Sequence, residues 1–324
     1  MHNKIKQYFD EFYYVENLTD EQIANFAKKI KVDIAINRSG HTDKARGNIF
    51  SFRAAPIQIN YLGYPGTLGQ EGIDYIIADK FVIPENNQKY YSEKIIYIDN
   101  SFYPKDNSRV ISNQKYTKSE LGISESSFVF CSLNNSYKIT PEEFEVWTSI
   151  LKNVKNSILV LLSNSDEMRK NIIREAVKNN IDPKHIKFIN YLEHDKHLAR
   201  HKIFDLFLDS FNVNAHTSAV DCLWAGLPIL TKVGNSFSSR ICGSILNSLG
   251  LNNLITYSKK EYMDKAIYLG NNIDEIKKIK NLIIKSKEKN NFYDIKAYTL
   301  KLENAFSKAH KLRLNNNETV SFEV

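Results

Sequence analysis

The sequence has few of the features that mark several large classes of protein. Its three cysteines, Cys131, Cys222 and Cys242, are odd in number and far apart, so neither a disulfide scaffold nor a zinc ribbon is expected. No apolar run approaches the ~18 residues that a membrane-spanning helix needs. The polar N-terminus lacks the apolar centre of a signal peptide. These absences predict a soluble protein of the reducing cytoplasm, without a membrane partner.

Several short catalytic and binding motifs are absent from the sequence as well. It has no Gly-x-Gly-x-x-Gly, no P-loop, no Gly-x-Ser-x-Gly and no His-Glu-x-x-His. The net charge of +7 comes mainly from lysines, many of them on predicted helices after residue 258. We interpret them as solvated helix faces, because no basic motif interleaved with aromatic residues indicates nucleic-acid binding.

Three histidines have a spacing that suggests metal ligands. His194, His197 and His201 lie close in sequence, the last two on one predicted helix. They form no His-Glu-x-x-His motif and have no obvious acidic third ligand, so no metal is expected. Instead, His197 is interpreted as facing a ligand, with Arg200 on the same helix face three residues later.

Strand-like apolar runs alternate with helical patterns through nearly the whole chain, which predicts an α/β fold with parallel sheets flanked by helices. The predicted strands are 32–36, 57–61, 74–78, 94–97, 128–131, 158–162, 186–188, 206–208 and 229–230. The predicted helices are 20–31, 44–52, 141–153, 165–180, 194–202, 217–226, 237–248 and long patterns within 259–312. The sequence also predicts a linker at 99–118 and a frayed end at 314–324.

The clearest sign of function is the polar turn between predicted strand 206–208 and the helix that follows it. The first N–H groups of a helix lack intrahelical partners, and the helix dipole favours negative charge there. His216, Thr217 and Ser218 add side-chain donors at this end, and the Asp221 carboxylate, one turn later, is placed to accept from a ribose hydroxyl. The segment therefore predicts a site for the phosphates and sugar of a nucleotide.

A second candidate is a glycine-rich loop. Four of the twelve glycines fall within ten residues, directly after predicted strand 57–61. Ligands of α/β sheets bind at the carboxyl ends of strands, so the loop is either a ligand-binding loop or a tight structural turn. Its candidate residues are Gly63, Tyr64, Pro65, Gly66 and Thr67.

Two further candidates also follow predicted strands. Lys138 comes after strand 128–131, where its compact positive charge suits a diphosphate, although a lone lysine there is usually a surface residue. His41 comes after strand 32–36 and is either an acid, a base or a hydrogen-bond donor, or a solvated loop residue.

Taken in order, these segments resemble the catalytic region of the O-linked N-acetylglucosamine transferases and the related Spindly-type transferases, glycosyltransferase family 41. The likeness spans about residues 30 to 300. The matching runs are 53–58, 62–67, 74–79, 91–94, 134–139, 197–201, 214–218, 223–228 and 238–240.

The resemblance implies a GT-B-type pair of Rossmann-like domains, the first incomplete, with C-terminal helices. The expected boundaries are 1–110 for the partial N-terminal domain, 111–285 for the nucleotide-sugar-binding domain and 286–324 for a C-terminal helix and tail. The implied reaction is inverting, metal-independent transfer of a sugar to serine or threonine hydroxyls of proteins, without a cofactor. The expected donor is UDP-N-acetylglucosamine, with GDP-fucose as the alternative.

The resemblance also assigns roles by position, with Lys138 and His41 as the candidate catalytic residues. Lys138 matches the family's essential lysine on the diphosphate, and Asn135 stands where animal members carry a glutamine near the phosphates. His41 falls in a Gly-His-Thr element seen in Spindly-like members, where animal members have tyrosine. The other matches are His197 to a histidine near the uracil, His216, Thr217 and Ser218 to a His-Thr-Thr run on the phosphates, and Asp221 to the ribose-binding aspartate.

The sequence departs from the family pattern near its start. The family's opening strand and its Asp-Phe-x-x-His-Pro element have no counterpart before residue 30, and the tetratricopeptide repeats that present acceptor proteins are absent. The first sheet is therefore expected to expose an edge. The chain is interpreted as a fragment of a longer gene, with a degenerate relative or half of a split enzyme as alternatives. The competing functions are a non-catalytic nucleotide-sugar-binding remnant and a basic nucleic-acid binder, whose binding would fall steeply with salt.

Overall fold

The computed structural model of the chain describes residues 5–70, 72–163, 165–289, 293–315 and 318–324. They form two compact units. Unit 1 comprises Met1–Ile77, Glu85–Tyr97 and Leu302–Val324, and unit 2 comprises Ala78–Pro84 and Ile98–Lys301. Within this described part, no helix combines the length and the apolar character needed to cross a bilayer.

The secondary structure alternates between strands and helices along the chain. The strands are β1 (Ile34–Asn37), β2 (Ile57–Asn60), β3 (Tyr75–Ala78), β4 (Lys94–Tyr97), β5 (Phe128–Ser132), β6 (Ser157–Leu162), β7 (Ile186–Ile189), β8 (Leu206–Leu208), β9 (Ile229–Lys232), β10 (Ile255–Thr256) and β11 (Phe322–Glu323). The α-helices are α1 (Asp20–Lys29), α2 (Asn48–Ser51), α3 (Pro141–Asn153), α4 (Asp166–Lys178), α5 (His194–Arg200), α6 (Thr217–Ala225), α7 (Ile241–Ser248), α8 (Lys259–Gly270), α9 (Ile273–Lys289) and α10 (Ile295–Leu314).

Unit 1 is built on a five-stranded sheet in the order β1-β2-β3-β4-β11. The pairs β1–β2, β2–β3 and β4–β11 are parallel. Every residue of β2 and β3 is buried, as in parallel sheets that are covered on both faces. In the described sheet β1 is an edge strand, and its Ile36 is 38% exposed.

Unit 2 is built on a six-stranded parallel sheet in the order β10-β9-β8-β5-β6-β7. The chain runs outward from β5 through β6 to β7, and then returns to β8 and runs outward on the other side. The strand order therefore reverses between β5 and β8. In such sheets, ligands bind beyond the carboxyl ends of the strands at this switch point.

The structure confirms the alternating α/β pattern and corrects three details of it. The helix predicted over 44–52 is confined to Asn48–Ser51, and the one predicted over 194–202 ends at Arg200, where a 3-10 turn follows. The end predicted to be frayed contains β11, which pairs with β4. β10 and β11 are two residues long, and so short a strand carries no readable alternation.

Candidate functional site

The turn that leaves β8 is organised around the buried carboxylate of Asp209. It accepts hydrogen bonds from the backbone N–H groups of Ser210 (2.9 Å) and Ala215 (2.7 Å), from the Thr231 hydroxyl (2.7 Å) and from the Asn134 amide (3.1 Å). Burial raises the pKa of Asp209 to about 6, while its hydrogen bonds and the charge of Lys138 act in the opposite direction. These bonds fold the loop back on itself and set the position at which the next helix begins.

Helix α6 begins at the switch point of the sheet, directly after this turn. His216 is its N-cap residue, and no side chain in the described part of the chain caps it. The imidazole Nε2 of His216 lies 3.4 Å from the carbonyl oxygen of Ser238 and donates to it. Burial, assisted by the charge of Lys138, lowers the pKa of His216 to about 4, so the ring is neutral at pH 7. Thr217 is exposed and Ser218 is half-buried, so both hydroxyls lie at an accessible helix end.

Lys138 reaches this helix end from the neighbouring strand. It ends a 3-10 turn, Ser136–Lys138, that follows β5. Its ammonium group donates to the carbonyl oxygen of Asn214 at 3.1 Å, two residues before the N-cap of α6. The sheet topology thus joins a positive charge to a helix N-terminus, and both favour an anion.

Asp221 lies in the second turn of α6 and is 7% exposed. Its Oδ1 accepts from Arg109 Nε at 2.9 Å, and His194 Nε2 lies 3.2 Å from the same oxygen. Arg109 belongs to the 99–118 segment, which has no helix or strand among its described residues. The sequence predicts a linker here, whereas in the structure the segment also packs on α6.

A second residue of the same segment contacts the start of α6. The hydroxyl groups of Tyr103 and Thr217 share a hydrogen bond of 2.7 Å. Burial raises the pKa of Tyr103. A pairing over more than a hundred positions leaves no local pattern, so neither Tyr103 nor Arg109 was identifiable from the sequence.

Helix α5 contributes two hydrogen-bonded side chains, His197 and Arg200, and the imidazole of His197 is neutral. Arg200 Nη2 donates to His197 Nδ1 at 2.8 Å, so the proton of this ring is on Nε2. Burial, together with the charges of His201 and Arg200, lowers the pKa of His197 to about 3. Arg200 is 4% exposed and also donates to the carbonyl oxygen of Asn190. His197 therefore offers a fixed N–H donor.

Asn135 lies at the surface of unit 2, in the loop that follows β5. Its side chain accepts from the Tyr191 hydroxyl at 2.7 Å, and both residues are exposed. The link joins the loop after β5 to the loop after β7. Amide and hydroxyl groups at this position are accessible to a ligand.

The candidates in unit 1 form a separate group at the carboxyl ends of β1 and β2. His41 Nε2 donates to the carbonyl oxygen of Leu68 at 3.0 Å, and its ring packs edge-on against Tyr64. Thr67 bonds to Glu93, which also accepts from the N–H group of Leu68 at 2.7 Å. Asn60 donates to the carbonyl oxygen of Gly66 at 2.9 Å. These hydrogen bonds hold the glycine-rich loop in one conformation, and His41 also lines an open cavity of about 530 Å³.

The candidate site residues fall into two groups, one in each unit. Unit 2 brings together Asn135, Lys138, His197, Arg200, His216, Thr217, Ser218 and Asp221 around the β5–β8 switch point. Unit 1 holds His41 and the residues of the loop, Gly63, Tyr64, Pro65, Gly66 and Thr67. Among the residues that the structure describes, no group of three or more His, Cys, Asp or Glu side chains is arranged to hold a metal ion.

Solved structures with the same architecture define the fold class. The chain superposes on a Thermobaculum terrenum O-GlcNAc transferase variant with a TM-score of 0.85 at 21% identity, covering 94% of this chain and 58% of that one. It matches Anabaena HepE, solved with UDP and glucose, with a TM-score of 0.61 at 13% identity, over 92% of this chain and 84% of that one. The fold is that of the GT-B glycosyltransferases, as the family resemblance implied.

The family follows from the sequence comparison. The model of glycosyl transferase family 41 matches residues 1–118 and 109–302, and the chain belongs to that family. It is 31% identical to the probable UDP-N-acetylglucosamine–peptide N-acetylglucosaminyltransferase SEC of Arabidopsis thaliana over 327 residues, 99% of this chain and 34% of that protein. It is 26% identical to the corresponding probable transferase SPINDLY of Solanum lycopersicum, over 90% of this chain and 32% of that protein. The chain thus spans about a third of the length of these curated relatives.

Proposed function

We propose that this chain binds a nucleotide sugar and transfers the sugar to serine or threonine hydroxyls of proteins. One observation carries the proposal: the Lys138 ammonium group donates to the carbonyl oxygen of Asn214, two residues before the N-cap of α6. A helix N-terminus, a fixed cation and a carboxylate one turn later suit a diphosphate followed by a ribose. Family membership supplies the reaction class.

The chemistry that we propose is a single displacement with inversion. The acceptor oxygen attacks the anomeric carbon, the bond from that carbon to the diphosphate oxygen breaks, and its electron pair leaves with the nucleoside diphosphate. Lys138 and the first N–H groups of α6 stabilise the negative charge that develops on the leaving group. Fixed donors of this kind take the place of a metal ion, so we propose that the transfer is metal-independent and needs no cofactor.

The proton of the acceptor hydroxyl must pass to a base, and His41 is our candidate. Its Nε2 is engaged with Leu68, which leaves a lone pair on Nδ1. Within the described residues, Nδ1 has no hydrogen-bond partner. Asn135, His197, Arg200, His216, Thr217, Ser218 and Asp221 are proposed to bind the nucleotide sugar, with the 63–67 loop beside the sugar and acceptor.

UDP-N-acetylglucosamine is the donor that we propose, because the names of the curated relatives specify it. GDP-fucose is the alternative, supported by the Gly40-His41-Thr42 element. Since the chain covers about a third of those relatives, the acceptor protein is proposed to be presented by tetratricopeptide repeats on another segment or chain. We propose the cytoplasm as its location, where the three free, buried thiols would remain reduced.

Substitution of the lysine gives the direct test. We predict that Lys138→Ala lowers the rate of UDP release from UDP-N-acetylglucosamine by about 10²–10³-fold, because one fixed donor to the developing charge is lost. Lys170→Ala is the matched control, since Lys170 is an exposed lysine of unit 2. Circular dichroism checks that both variants fold. A folded Lys138→Ala protein that keeps most of its activity contradicts the proposal.

Binding and transfer assays separate the remaining alternatives. Calorimetry with UDP and GDP identifies the base, and transfer of radiolabelled sugar to serine- and threonine-containing peptides tests catalysis. Activity that survives EDTA supports the metal-free mechanism. Binding of UDP without any transfer, even when repeat-containing segments of a relative are added, would identify a non-catalytic binding protein.

A further inference from the structure

Arg109 forms a buried ion pair with the carboxylate at the proposed ribose position. Its Nε lies 2.9 Å from Asp221 Oδ1, and the two side chains are only 9% and 10% exposed. Most surface ion pairs are solvated and weak. The Arg109–Asp221 ion pair is largely shielded from water, so contacts with the protein fix the relative position of the two side chains.

Two further contacts hold Arg109 in place. Its Nη1 donates to the carbonyl oxygen of Asp106 at 2.7 Å, which folds the side chain back on its own segment. Its own carbonyl oxygen accepts from Trp224 Nε1 at 3.0 Å, and Trp224 lies three residues after Asp221 on α6. Backbone and side chain of Arg109 are therefore both bonded to the same helix.

The contacts of Asp221 are concentrated on one of its two oxygens. Oδ1 accepts from Arg109 and lies 3.2 Å from His194 Nε2. Oδ2 has no hydrogen-bond donor among the residues that the structure describes. A carboxylate rotates easily about its last torsion, so a fixed guanidinium on Oδ1 also fixes the direction of Oδ2.

We infer that Arg109 is a positioning residue for the donor nucleotide. It holds Asp221 through Oδ1, so that Oδ2 accepts a hydrogen bond from a ribose hydroxyl of the nucleoside diphosphate. This inference rests on the proposed nucleotide site and adds to it a residue from the segment between β4 and β5. The segment joins the two series of strands, and through Arg109 it also orders the donor site.

The test measures the contribution of the ribose hydroxyls, which a purely structural ion pair would not change. The probes are UDP and 2′,3′-dideoxy-UDP, and the readout is the ratio of their dissociation constants by calorimetry on the full chain. For the wild type we expect UDP to bind at least about tenfold more tightly, since a hydrogen bond to a charged acceptor is a strong one. In Arg109→Gln the ratio should fall to within about twofold of one.

Two comparisons make the assignment specific. Asp221→Asn should lower the ratio similarly, and Arg109→Gln on that background should lower it no further, as for two residues acting through one contact. Lys118→Gln is the matched control, because Lys118 forms a buried ion pair with Asp205 in the same unit, with side chains 16% and 11% exposed. The Lys118→Gln variant should be less thermally stable than the wild type, but its ratio of dissociation constants for the two nucleotides should equal that of the wild type.

Each outcome decides between the alternatives. A wild-type ratio in Arg109→Gln, or an equal loss in Lys118→Gln, overturns the inference and leaves the proposed function standing. A wild type that binds neither UDP nor GDP overturns the proposed function and, with it, the inference. If Arg109→Gln does not fold, Arg109→Lys replaces it, because lysine keeps the charge and loses the fixed Nε direction, and its ratio should fall at least about threefold.

Discussion

Gly63 shows how closely the backbone packs in the loop that follows β2. A Cβ atom at this position would lie 1.6 Å from the carbonyl oxygen of Arg38, in the loop that follows β1. Only glycine permits this approach, because the neighbouring atom belongs to the backbone and has no rotamer into which it moves away. The approach brings the His41 loop and the glycine-rich loop together.

We predict that Gly63→Ala destabilises unit 1 by about 2 kcal/mol or more, because one of the two loops must move. Gly47→Ala is the control, since the nearest atom to its added Cβ would be a Gln70 side-chain oxygen at 3.4 Å. Urea denaturation of both variants gives the difference in unfolding free energy. Equal stabilities for the two would refute the close approach.

At the scale of secondary-structure elements, the chain end completes the sheet of unit 1. Besides the pairing of β11 with β4, the Ser321 hydroxyl accepts from the N–H group of Ile95 at 2.9 Å. The Phe322 ring packs edge-on against Tyr75, and the Lys308 ammonium group lies over it. Side-chain contacts therefore add to the backbone pairing that holds this two-residue strand.

We predict that ending the chain at residue 319 exposes β4 as an edge strand and speeds amide exchange at Ile95 by at least about tenfold. The physical reason is the loss of the acceptor for this N–H group. Hydrogen–deuterium exchange measures the effect, and the amides of β6 in unit 2 serve as the internal reference. Unchanged protection of Ile95 would contradict the pairing of the chain end.

At the scale of the whole molecule, buried histidines tie stability to pH. Burial lowers the pKa of His197 to about 3 and those of His201 and His216 to about 4, below the ordinary value of 6.5. At a pH between the lowered pKa of each histidine and its ordinary value of 6.5, that histidine is protonated in the unfolded chain and neutral in the folded one. The stabilisation is thus present above pH 6.5 and is lost as the pH falls towards 4. Asp209, whose pKa is raised to about 6, opposes part of this loss.

We predict that the unfolding free energy falls by roughly 4 kcal/mol between pH 7 and pH 5. Each of the three histidines contributes about 1.4 kcal/mol per pH unit below pH 6.5, and Asp209 offsets about one of these contributions. Urea denaturation at both pH values measures the difference. His201→Gln should shrink it by about 1 kcal/mol or more. A pH-independent wild type would contradict the prediction.

Local signals in the sequence were sufficient for most elements. Thr19 and Gln22 form the capping box that starts α1, and Thr140 with Glu143 does the same for α3. Long apolar runs such as β6 were identified because a buried parallel strand is apolar along its whole length. The short strands β10 and β11 escaped detection, because only their partners make them strands.

The residues of the candidate site likewise divide into those that local sequence signals reveal and those that only tertiary contacts define. Lys138, His216 and Asp221 were found because each follows a strand or opens a helix, and sequence order reports that position. Their roles stay a prediction. Arg109 and Tyr103 were not found, because they reach α6 from positions more than a hundred residues away.

The sequence alone determined the alternation of strands and helices, the family resemblance and the residues at strand ends, because propensity, capping and periodicity act over a few neighbouring positions. Only the tertiary structure decided which distant side chains meet. Strand order placed the loop after β5 beside the turn after β8, and the packing of the 99–118 segment on α6 brought Arg109 into contact with Asp221. Desolvation, which depends on the whole packed unit, then made His197 and His216 neutral donors.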